Sequence, residues 1–587
     1  MYDILKTITG PGDLKKLSLN EMKQLAEEIR QALMNRLSKH GGHFGPNFGM
    51  VEATIALHYV FDSPRDKFVF DVSHQTYPHK MLTGRALSYI DDAHFDDISG
   101  YTNPEESEHD HFNVGHTSTS VSLAAGLARG RDLTGGKENI IAIIGDGSLS
   151  GGEALEGIDL AGEMDTNFII VVNDNDMSIA ENHGGMYKNL RELRENGGKA
   201  ETNLFTAMGL DYTFVADGND IQQLIDAFSK VKDSTRPVVV HIATQKGKGY
   251  KDAEINKEQW HWCMPFDPET GKSLFSFDGE DYGSLTGEFL MKKIKTDPAV
   301  CAITAATPTA FGFTADKRKE AGRQFVDVGI AEETAVALAS GIARNGGKPV
   351  IGFNSTFMQR TYDQILQDVC INGSPVTILS FAASVWGMSD VTHLGIYDIP
   401  MISNIPELVY LAPTCAEEYF AMLDWSIEQN KYPVAIRVPC NGVIHTGRSV
   451  QTDYSELNKY EVTKKGSGVA ILALGDFYQM GEQTAAELEK RGISATLVNP
   501  RFITGLDTEL LEQLRSGHSA VITLEDGVLD GGFGQKIAAY YGDSSMKVKC
   551  FGLEKKFYDR YNAVEVLRGL GIVPEKLADT AEAMLGR

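Results

Sequence analysis

The sequence predicts an α/β fold of three consecutive doubly wound domains with mostly parallel sheets. Two observations support this prediction: short apolar runs alternate with helical patterns along the chain, and each run ends in turn or polar residues. Strands of a parallel sheet are covered by helices on both faces, so they appear in the sequence as nearly continuous apolar segments. The clearest strand segments are residues 140–144, 168–172, 237–242, 349–353, 375–379, 468–474 and 520–524.

Two polar stretches divide the chain into its predicted domains. Residues 267–287 are polar and Gly-rich and lack apolar periodicity, and residues 441–465 are polar until the next strand segment begins. We therefore expect α/β domains at residues 1–270, 285–445 and 455–587. The clearest helix occupies residues 17–37, because Ser18 is followed three positions later by Glu21, a pattern typical of a helix start.

The composition is that of an ordinary globular protein. Of 587 residues, 42% are hydrophobic and 23% are charged, which is enough to bury several cores. The net charge of −25 repels polyanions, so we expect no nucleic-acid partner and no anionic membrane surface as a partner. The six cysteines form no CxxC pair, which favours free thiols. No leader pattern and no apolar run of roughly 18 residues occurs, so a cytoplasmic protein is expected.

The most informative segment joins two of the predicted strands. The first is followed by a Gly-Asp-Gly motif centred on Asp146, and the second by an Asn-Asp-Asn motif that ends at Asn175. Because the carboxyl ends of parallel strands meet at one edge of a sheet, these two side chains are expected to lie together. Mg²⁺ prefers oxygen ligands, commonly one carboxylate with phosphate oxygens and water. We predict that Asp146, Asn175 and the Met177 carbonyl hold Mg²⁺, and that Gly147 leaves room for a diphosphate.

Further motifs occur in a fixed order along the chain. They include Gly42-His43-Phe44, Asp71-Val-Ser-His-Gln-Thr-Tyr-Pro-His-Lys80, Val114-Gly-His-Thr-Ser-Thr-Ser120, Lys246-Gly-Lys-Gly-Tyr250, Ile330-Ala-Glu332, Ser355-Thr-Phe-Met-Gln-Arg360 and Ala435-Ile-Arg437. Together with the Gly-Asp-Gly and Asn-Asp-Asn pair, this set resembles the 1-deoxy-D-xylulose-5-phosphate synthase family of the transketolase superfamily. The resemblance runs from Leu17 into the C-terminal part of the chain.

The resemblance implies a transketolase-like fold and a transferase activity. Enzymes of the family decarboxylate pyruvate and add the two-carbon unit to an aldehyde, nominally glyceraldehyde 3-phosphate, in isoprenoid biosynthesis. The implied cofactors are thiamine diphosphate and Mg²⁺, with the pyrophosphate on the first domain and the pyrimidine on the second. The implied partners are these small substrates and a second copy of the chain in a homodimer.

The resemblance also assigns catalytic roles. Glu332 matches the glutamate that protonates the aminopyrimidine ring of the cofactor, although a glutamate near a helix start usually only complements the helix dipole. His43, His261 and His393 match histidines that face the substrate and can exchange protons with it. Phe357 matches the aromatic residue that stacks on the aminopyrimidine.

The remaining assignments concern cofactor and substrate contacts. Arg360 and Arg437 are expected at the substrate, because each matches an arginine of a family motif. Other residues fall where the family contacts its cofactor: His74, Gly115, His116, Thr117, Gly147, Ser148, Asn175, Lys246, Tyr250, Glu332 and Phe357.

Several positions depart from the family pattern, and they cluster where the acceptor binds. Ala382 and Cys440 stand where the family has arginines, and the first of those arginines grips the acceptor phosphate. Thr334 replaces a histidine. Ser389 replaces an aspartate, with Asp390 beside it. An arginine pairs with a phosphate through two charge-assisted hydrogen bonds, so each loss should weaken binding by roughly 2–5 kcal/mol.

Further departures lie outside these motifs. Ser73 replaces a glycine, Asn354 replaces a tyrosine, and residues 182–204 are shorter than the usual insertion of the family. This segment is Gly-rich and charged, so we expect a mobile loop.

Several interpretations of the acceptor site and of the activity stay open. Either Arg360, Arg437 or Lys80 binds the acceptor phosphate instead, or the acceptor is smaller or unphosphorylated. The chain could also be a transketolase with a ketose phosphate donor, a pyruvate-dehydrogenase-type component or an inactive cofactor-binding paralogue. The intact Glu332 and Asp146 argue against the inactive paralogue.

Overall fold

The computed structural model describes residues 2–275 and 279–587, and the chain divides into two compact units. The first unit contains Met1–Asp278 and Gly329–Ala331, and the second contains Gly279–Val328 and Glu332–Arg587. Part of the predicted polar break, residues 276–278, lies outside the described residues. The predicted domain boundaries stay a prediction.

The first unit is built on one parallel sheet. Its strands are β1 Gly42–His43, β2 Lys67–Phe70, β3 Ile140–Gly145, β4 Phe168–Asp174, β5 Asp211–Val215, β6 Pro237–Ala243 and β7 Trp262–Cys263. The five-stranded sheet has the order β2-β3-β4-β6-β5, while β1 and β7 form a separate antiparallel pair. Ile140 and Ile144 of β3 join one apolar cluster and Ile141 and Ile143 join another, so both faces of the sheet are buried.

Helices cover both faces of this sheet. The predicted helix start at Ser18 is confirmed, because Ser18 Oγ accepts from the Glu21 backbone N–H and the Glu21 carboxylate accepts from the Ser18 backbone N–H. The helices of the first unit are Pro11–Leu14, Leu19–His40, Gly45–Gly49, Val51–Val60, Tyr77–Lys80, Leu87–Ile90, Ser120–Thr134, Gly152–Glu163, Met186–Glu195, Leu204–Ala207, Ile221–Val231 and Lys251–Ile255.

The second unit contains two sheets. Its strands are β8 Val300–Thr304, β9 Phe325–Asp327, β10 Lys348–Asn354, β11 Thr377–Phe381, β12 Val409–Leu411, β13 Val434–Arg437, β14 Glu461–Lys464, β15 Gly468–Ala473, β16 Thr496–Asn499, β17 His518–Val528 and β18 Lys547–Leu553. The six-stranded sheet is parallel throughout, in the order β12-β13-β11-β10-β8-β9. The five-stranded sheet has the order β14-β16-β15-β17-β18, and only its edge strand β14 is antiparallel.

The two sheets of the second unit share one apolar core. Ile351 of β10 and Ile378 of β11 belong to the same buried cluster as Ala470 and Leu472 of β15. The helices of this unit are Tyr282–Thr296, Ala315–Ala321, Glu332–Arg344, Ser355–Met358, Tyr362–Gln364, Asp398–Ile402, Ala416–Glu428, Tyr478–Lys490, Thr508–Gly517, Phe533–Tyr540, Ala563–Gly569 and Pro574–Met584.

The predicted fold class is confirmed: the chain is an α/β protein with mostly parallel sheets, and every predicted strand segment overlaps an observed strand. All six cysteines are free. Within residues 2–275 and 279–587, no helix has both the length and the apolar character needed to cross a membrane.

Candidate active site

One group of predicted site residues lies at the carboxyl edge of the sheet in the first unit. Asp146 directly follows β3, and Asn175 follows β4, which is the parallel neighbour of β3. The Asp146 carboxylate accepts hydrogen bonds from the Met177 backbone N–H at 3.0 Å and from Asn182 Nδ2 at 2.7 Å. The structure therefore brings the three residues predicted as metal ligands to one place.

The donor set at this edge suits a hard divalent cation. Asn175 Oδ1 and Asn182 Oδ1 are buried atoms without a hydrogen-bond partner among the described residues. Asp146 is 1% exposed, and burial raises the pKa of its carboxyl to about 7, with a further contribution from the neighbouring Asp174 carboxylate. A bound cation would stabilise the ionised carboxylate. Because every side-chain donor is an oxygen, the residues fit Mg²⁺.

The segment beside this edge differs from the prediction of a mobile loop for residues 182–204. It contains helix Met186–Glu195, whose Tyr187 and Leu190 are buried in the core of the first unit. The Tyr187 hydroxyl donates to the backbone carbonyls of Asp146 at 3.1 Å and Gly147 at 3.2 Å. The expectation was wrong because the Gly-rich flanks and high charge concealed a narrow apolar face.

Three of the predicted histidine positions form one cluster in the first unit. The ring centroids of His43 and His74 are 4.9 Å apart, those of His43 and His261 are 5.7 Å apart, and those of His74 and His261 are 5.3 Å apart. Asn47 Nδ2 donates to the backbone carbonyls of His43 at 2.7 Å and His74 at 2.8 Å. Asn47, which the sequence did not single out, thereby fixes two members of the cluster.

Lys246 lies between this cluster and the sheet edge that carries Asp146. Its Nζ lies 3.1 Å from His261 Nδ1 and donates to the Ser178 carbonyl at 2.7 Å. Burial lowers the pKa of Lys246 to about 7, although the charge of Asp146 opposes that shift. Burial also lowers the pKa of His261 well below its usual range, and Lys246 lowers it further. His261 is therefore a neutral imidazole at physiological pH.

The predicted cofactor contacts at residues 115–117 lie in a turn held against the segment that follows β3. The Asp71 carboxylate accepts from the backbone N–H groups of Ser118 at 2.8 Å and Ser120 at 3.0 Å. Ser118 Oγ in turn donates to the carbonyl of Ser148, another predicted contact, at 2.8 Å. One hydrogen bond thus joins the turn to Ser148, which directly follows the Gly-Asp-Gly motif.

Ser73 stands where the family motif has a glycine, and it adopts a backbone conformation that favours glycine. Its φ of 64° lies in the left-handed region that favours glycine. Its hydroxyl donates to the Val114 carbonyl at 2.7 Å and accepts from the Thr102 backbone N–H at 2.9 Å. These two buried hydrogen bonds offset a conformational cost of roughly 1–2 kcal/mol.

Tyr250 lies in an aromatic cluster of the first unit. Its ring centroid is 5.3 Å from that of Phe44 and 5.0 Å from that of Trp260. Its assignment as a cofactor contact stays a prediction.

The second group of predicted residues lies at the carboxyl edge of the six-stranded sheet. Glu332 begins helix Glu332–Arg344 and is 3% exposed. Arg360 Nη1 lies 3.6 Å from Glu332 Oε2. Burial raises the pKa of Glu332, and the positive charge of Arg360 only partly opposes it. A carboxyl group in this environment holds its proton more readily than an exposed glutamate does, which suits a group that exchanges protons.

Phe357 and His393 meet at the same edge. Phe357 follows β10, and its ring centroid lies 5.8 Å from that of His393 in an edge-to-face arrangement. His393 is 6% exposed, and its Nδ1 lies 2.8 Å from Thr392 Oγ1. The second unit therefore holds a carboxyl group, an aromatic ring and an imidazole at one sheet edge.

Comparison with known proteins decides the family. Family models match residues 5–202 and 196–244 (1-deoxy-D-xylulose-5-phosphate synthase), 279–442 (transketolase, pyrimidine binding domain) and 458–577 (transketolase, C-terminal domain). The 1-deoxy-D-xylulose-5-phosphate synthase of Alkaliphilus oremlandii is 37% identical in an alignment of 620 positions, which covers 99% of each of the two chains. The 1-deoxy-D-xylulose-5-phosphate synthase 1 of Geobacter sulfurreducens is 36% identical, covering 100% of this chain and 98% of that one. The chain belongs to the 1-deoxy-D-xylulose-5-phosphate synthase family.

These matches confirm the family resemblance that the motifs indicated. Members of this family are thiamine-diphosphate-dependent transferases. A solved transketolase from Pichia stipitis is also similar, at 17% identity with a TM-score of 0.46, covering 97% of this chain and 98% of that one.

Arg437 is the last residue of β13, at the carboxyl edge of the six-stranded sheet, and its guanidinium group contacts two carboxylates. Its Nε donates to the Asp398 carboxylate at 2.7 Å, and its Nη1 donates to Asp526. Arg437 is 3% exposed, and both aspartates are also buried. Two buried carboxylates already bind its guanidinium group, so the contacts of Arg437 in the described structure do not support its assignment to the substrate, which stays a prediction.

Lys80 is also engaged elsewhere. It is fully buried, and its Nζ forms an ion pair with Glu106 at 2.5 Å. The cationic groups of Arg437 and Lys80 are thus paired with carboxylates of the protein, which argues against the interpretation that either one binds the acceptor phosphate.

Ala382 and Cys440 stand where the family has arginines, and neither side chain carries a positive charge. Ala382 follows β11 and is partly exposed. Cys440 follows β13, and its backbone N–H donates to the buried Asp476 carboxylate at 2.9 Å. Burial raises the pKa of Asp476 to about 7, and Asp526 raises it further. An anionic ligand at Cys440 would therefore meet carboxyl groups.

Proposed function

We propose that this chain is a thiamine-diphosphate- and Mg²⁺-dependent carboligase that decarboxylates pyruvate and transfers the two-carbon unit to an aldehyde. Family membership supports the reaction class. The observation that carries the proposal is the buried Glu332 carboxyl beside Arg360, because a proton-exchanging carboxyl of this kind is what the cofactor requires. The oxygen donors around Asp146 support the metal requirement.

The residues of the first unit would hold the diphosphate end of the cofactor. Asp146, Asn175 and the Met177 carbonyl would bind Mg²⁺, which would in turn bind the diphosphate oxygens. Further contacts are proposed for His74, Gly115, His116, Thr117, Gly147, Ser148, Lys246 and Tyr250. When bound, thiamine diphosphate would supply a thiazolium ring that stabilises the transferred two-carbon unit as a carbanion.

The residues of the second unit would exchange the protons. Glu332 would hold a proton on its carboxyl oxygen and share it with the aminopyrimidine ring, against which Phe357 would stack. Arg360 would keep that carboxyl from becoming permanently protonated, because its positive charge favours the ionised form. His393 would donate and accept protons at the substrate oxygens, and the same role is proposed for His43 of the first unit. His261, which stays neutral, would contact the substrate through hydrogen bonds.

A second candidate function is carboligation to a smaller or unphosphorylated aldehyde. The ion pairs of Arg437 and Lys80 and the loss of arginine at Ala382 and Cys440 favour it, because a phosphate dianion needs charge-assisted donors. An inactive paralogue is less well supported, because burying the Glu332 carboxyl lowers the stability of the fold and would bring no benefit to a protein without catalysis. The homodimer and the cytoplasmic location are parts of this proposal.

We expect Asp146→Ala and Asn175→Ala each to abolish Mg²⁺-dependent binding of thiamine diphosphate without unfolding the chain. Each substitution removes an oxygen ligand that Mg²⁺ requires. The measurement is isothermal titration with the cofactor at several Mg²⁺ concentrations, with circular dichroism as the folding check. Asp165→Ala, which removes an exposed carboxylate of the same unit, should bind like the parent. Unchanged cofactor affinity in both site variants would remove the metal assignment.

We expect Glu332→Gln to retain the cofactor but to lose turnover by roughly 10²–10⁴-fold. Glutamine has nearly the same shape but cannot exchange a proton, so binding and chemistry should separate. The measurement is exchange of the thiazolium C2 proton, followed by NMR. Glu320→Gln, at an exposed position of the same unit, serves as the control. Exchange at the parent rate in Glu332→Gln contradicts the proposed role.

We expect weak use of glyceraldehyde 3-phosphate and a selective gain for it in Ala382→Arg. The new guanidinium group can pair with two phosphate oxygens, whereas unphosphorylated glyceraldehyde offers it no such partner. The measurement is kcat/KM for both aldehydes. Ala382→Gln is the control, because it adds a side chain of similar length without charge. A parent enzyme that already prefers the phosphorylated aldehyde a thousandfold, about 4 kcal/mol, contradicts the second candidate function.

A further inference from the structure

The side chains of Asp390, Thr392 and His393 contact one another in that order. Thr392 Oγ1 contacts Asp390 Oδ1 on one side and lies 2.8 Å from His393 Nδ1 on the other. Asp390 Oδ1 also accepts from the Thr392 backbone N–H at 2.8 Å, and the His393 backbone N–H donates to the Asp390 carbonyl at 2.9 Å. A tight turn therefore fixes the relative positions of these three groups.

The turn is anchored by another segment of the second unit. The Asp559 carboxylate accepts from the Val391 backbone N–H at 3.2 Å, and the Arg560 backbone N–H donates to the Ser389 carbonyl at 2.8 Å. The carboxylate of this turn stands at Asp390, one residue after the family's aspartate position. Ser389, which occupies that position, is exposed. The arrangement therefore depends on a residue that the family motif does not contain.

The protons of these three side chains can be assigned from their donors and acceptors. Burial raises the pKa of the Asp390 carboxyl, but His393, whose Nδ1 lies 3.7 Å from Asp390 Oδ1, and the hydrogen bonds from Thr392 outweigh burial and lower that pKa. An ionised carboxylate only accepts, so the single hydroxyl proton of Thr392 must point to Asp390. The Thr392 oxygen can then only accept from His393, and Nδ1 of the imidazole must carry a proton.

We propose that Asp390 and Thr392 are positioning residues that hold the His393 imidazole in the tautomer with a protonated Nδ1. Nε2 then carries the lone pair and is the ring atom that accepts a proton from a substrate hydroxyl group. The catalytic part of this inference rests on the proposed function, in which His393 faces the substrate. The contact of the His393 ring with Phe357 places the ring beside the residue proposed to stack on the cofactor.

The competing explanation is that Asp390 and Thr392 only stabilise the turn. The two explanations differ in what Thr392→Val does, because valine keeps the shape of threonine but has no hydroxyl group to accept from His393. Thr392→Ser keeps the hydroxyl group and should rescue the parent behaviour. Met388→Ala, at an exposed position of the same loop, is the matched control.

The test is NMR of the full chain labelled with ¹⁵N at histidine, in which His393→Asn identifies the signals of His393. We expect a protonated Nδ1 and an unprotonated Nε2 in the parent, Thr392→Ser and Met388→Ala. In Thr392→Val the preference should be lost, and kcat should fall tenfold or more with a smaller change in KM. The opposite tautomer in the parent, or an unchanged tautomer in Thr392→Val, overturns the proposal.

The proposed function fails by a different result. Parent-level kcat in His393→Asn contradicts the role of His393 at the substrate, because that role requires the ring itself. The tautomer seen by NMR does not depend on that outcome, so the two failures are distinguishable.

Discussion

Parallel pairing of strands is the constraint on which both groups of candidate site residues depend. It makes successive strands end at the same sheet edge, so the polar residues that follow them meet there. Asp146 and Asn175 are brought together in this way after β3 and β4. Phe357 and His393 come together after β10 and β11, which are also parallel neighbours. Helices on both faces of each sheet leave such edges as the places where polar groups and ligands can be accommodated.

Burial at these edges gives the carboxyl groups their chemical character. Water stabilises an ionised carboxylate, so removing water raises the pKa of Glu332 and of Asp146. The two carboxyl groups differ in the group that can compensate their negative charge. Arg360 stands beside Glu332, whereas the oxygen atoms around Asp146 could be compensated by a bound cation. Arg437 shows a third outcome, because its two buried aspartates are compensated within the protein. The same cost of burying a carboxyl group is therefore met at three places, beside Arg360, among the oxygen atoms near Asp146 and in the ion pairs of Arg437.

The sequence was informative where the signal is local. Apolar runs predicted the strands, and Ser18 with Glu21 predicted a helix start, because both patterns depend on neighbouring residues. The partners of Arg437 could not be predicted, since Asp398 and Asp526 lie 39 and 89 positions away. Asn182 was missed for the same reason, because its contact with Asp146 spans 36 positions.

Local signals were also misread where their meaning depends on tertiary packing. Helix Met186–Glu195 was expected as a loop, because its charged residues outnumber those that enter the core. The contacts among Asp390, Thr392 and His393 are local in sequence, but the positioning role proposed for them depends on a turn geometry that residue types alone do not specify.

The central claim is that this chain transfers a two-carbon unit from pyruvate to an aldehyde. The most direct measurement incubates the full chain, loaded with thiamine diphosphate and Mg²⁺, with pyruvate labelled with ¹³C at its keto carbon, in the presence of glyceraldehyde or glyceraldehyde 3-phosphate. The products are followed by ¹³C NMR. We expect the label to appear as the ketone carbon of a new, longer sugar while carbon dioxide is released. Pyruvate that stays unchanged with both aldehydes, although the cofactor is bound, contradicts the claim.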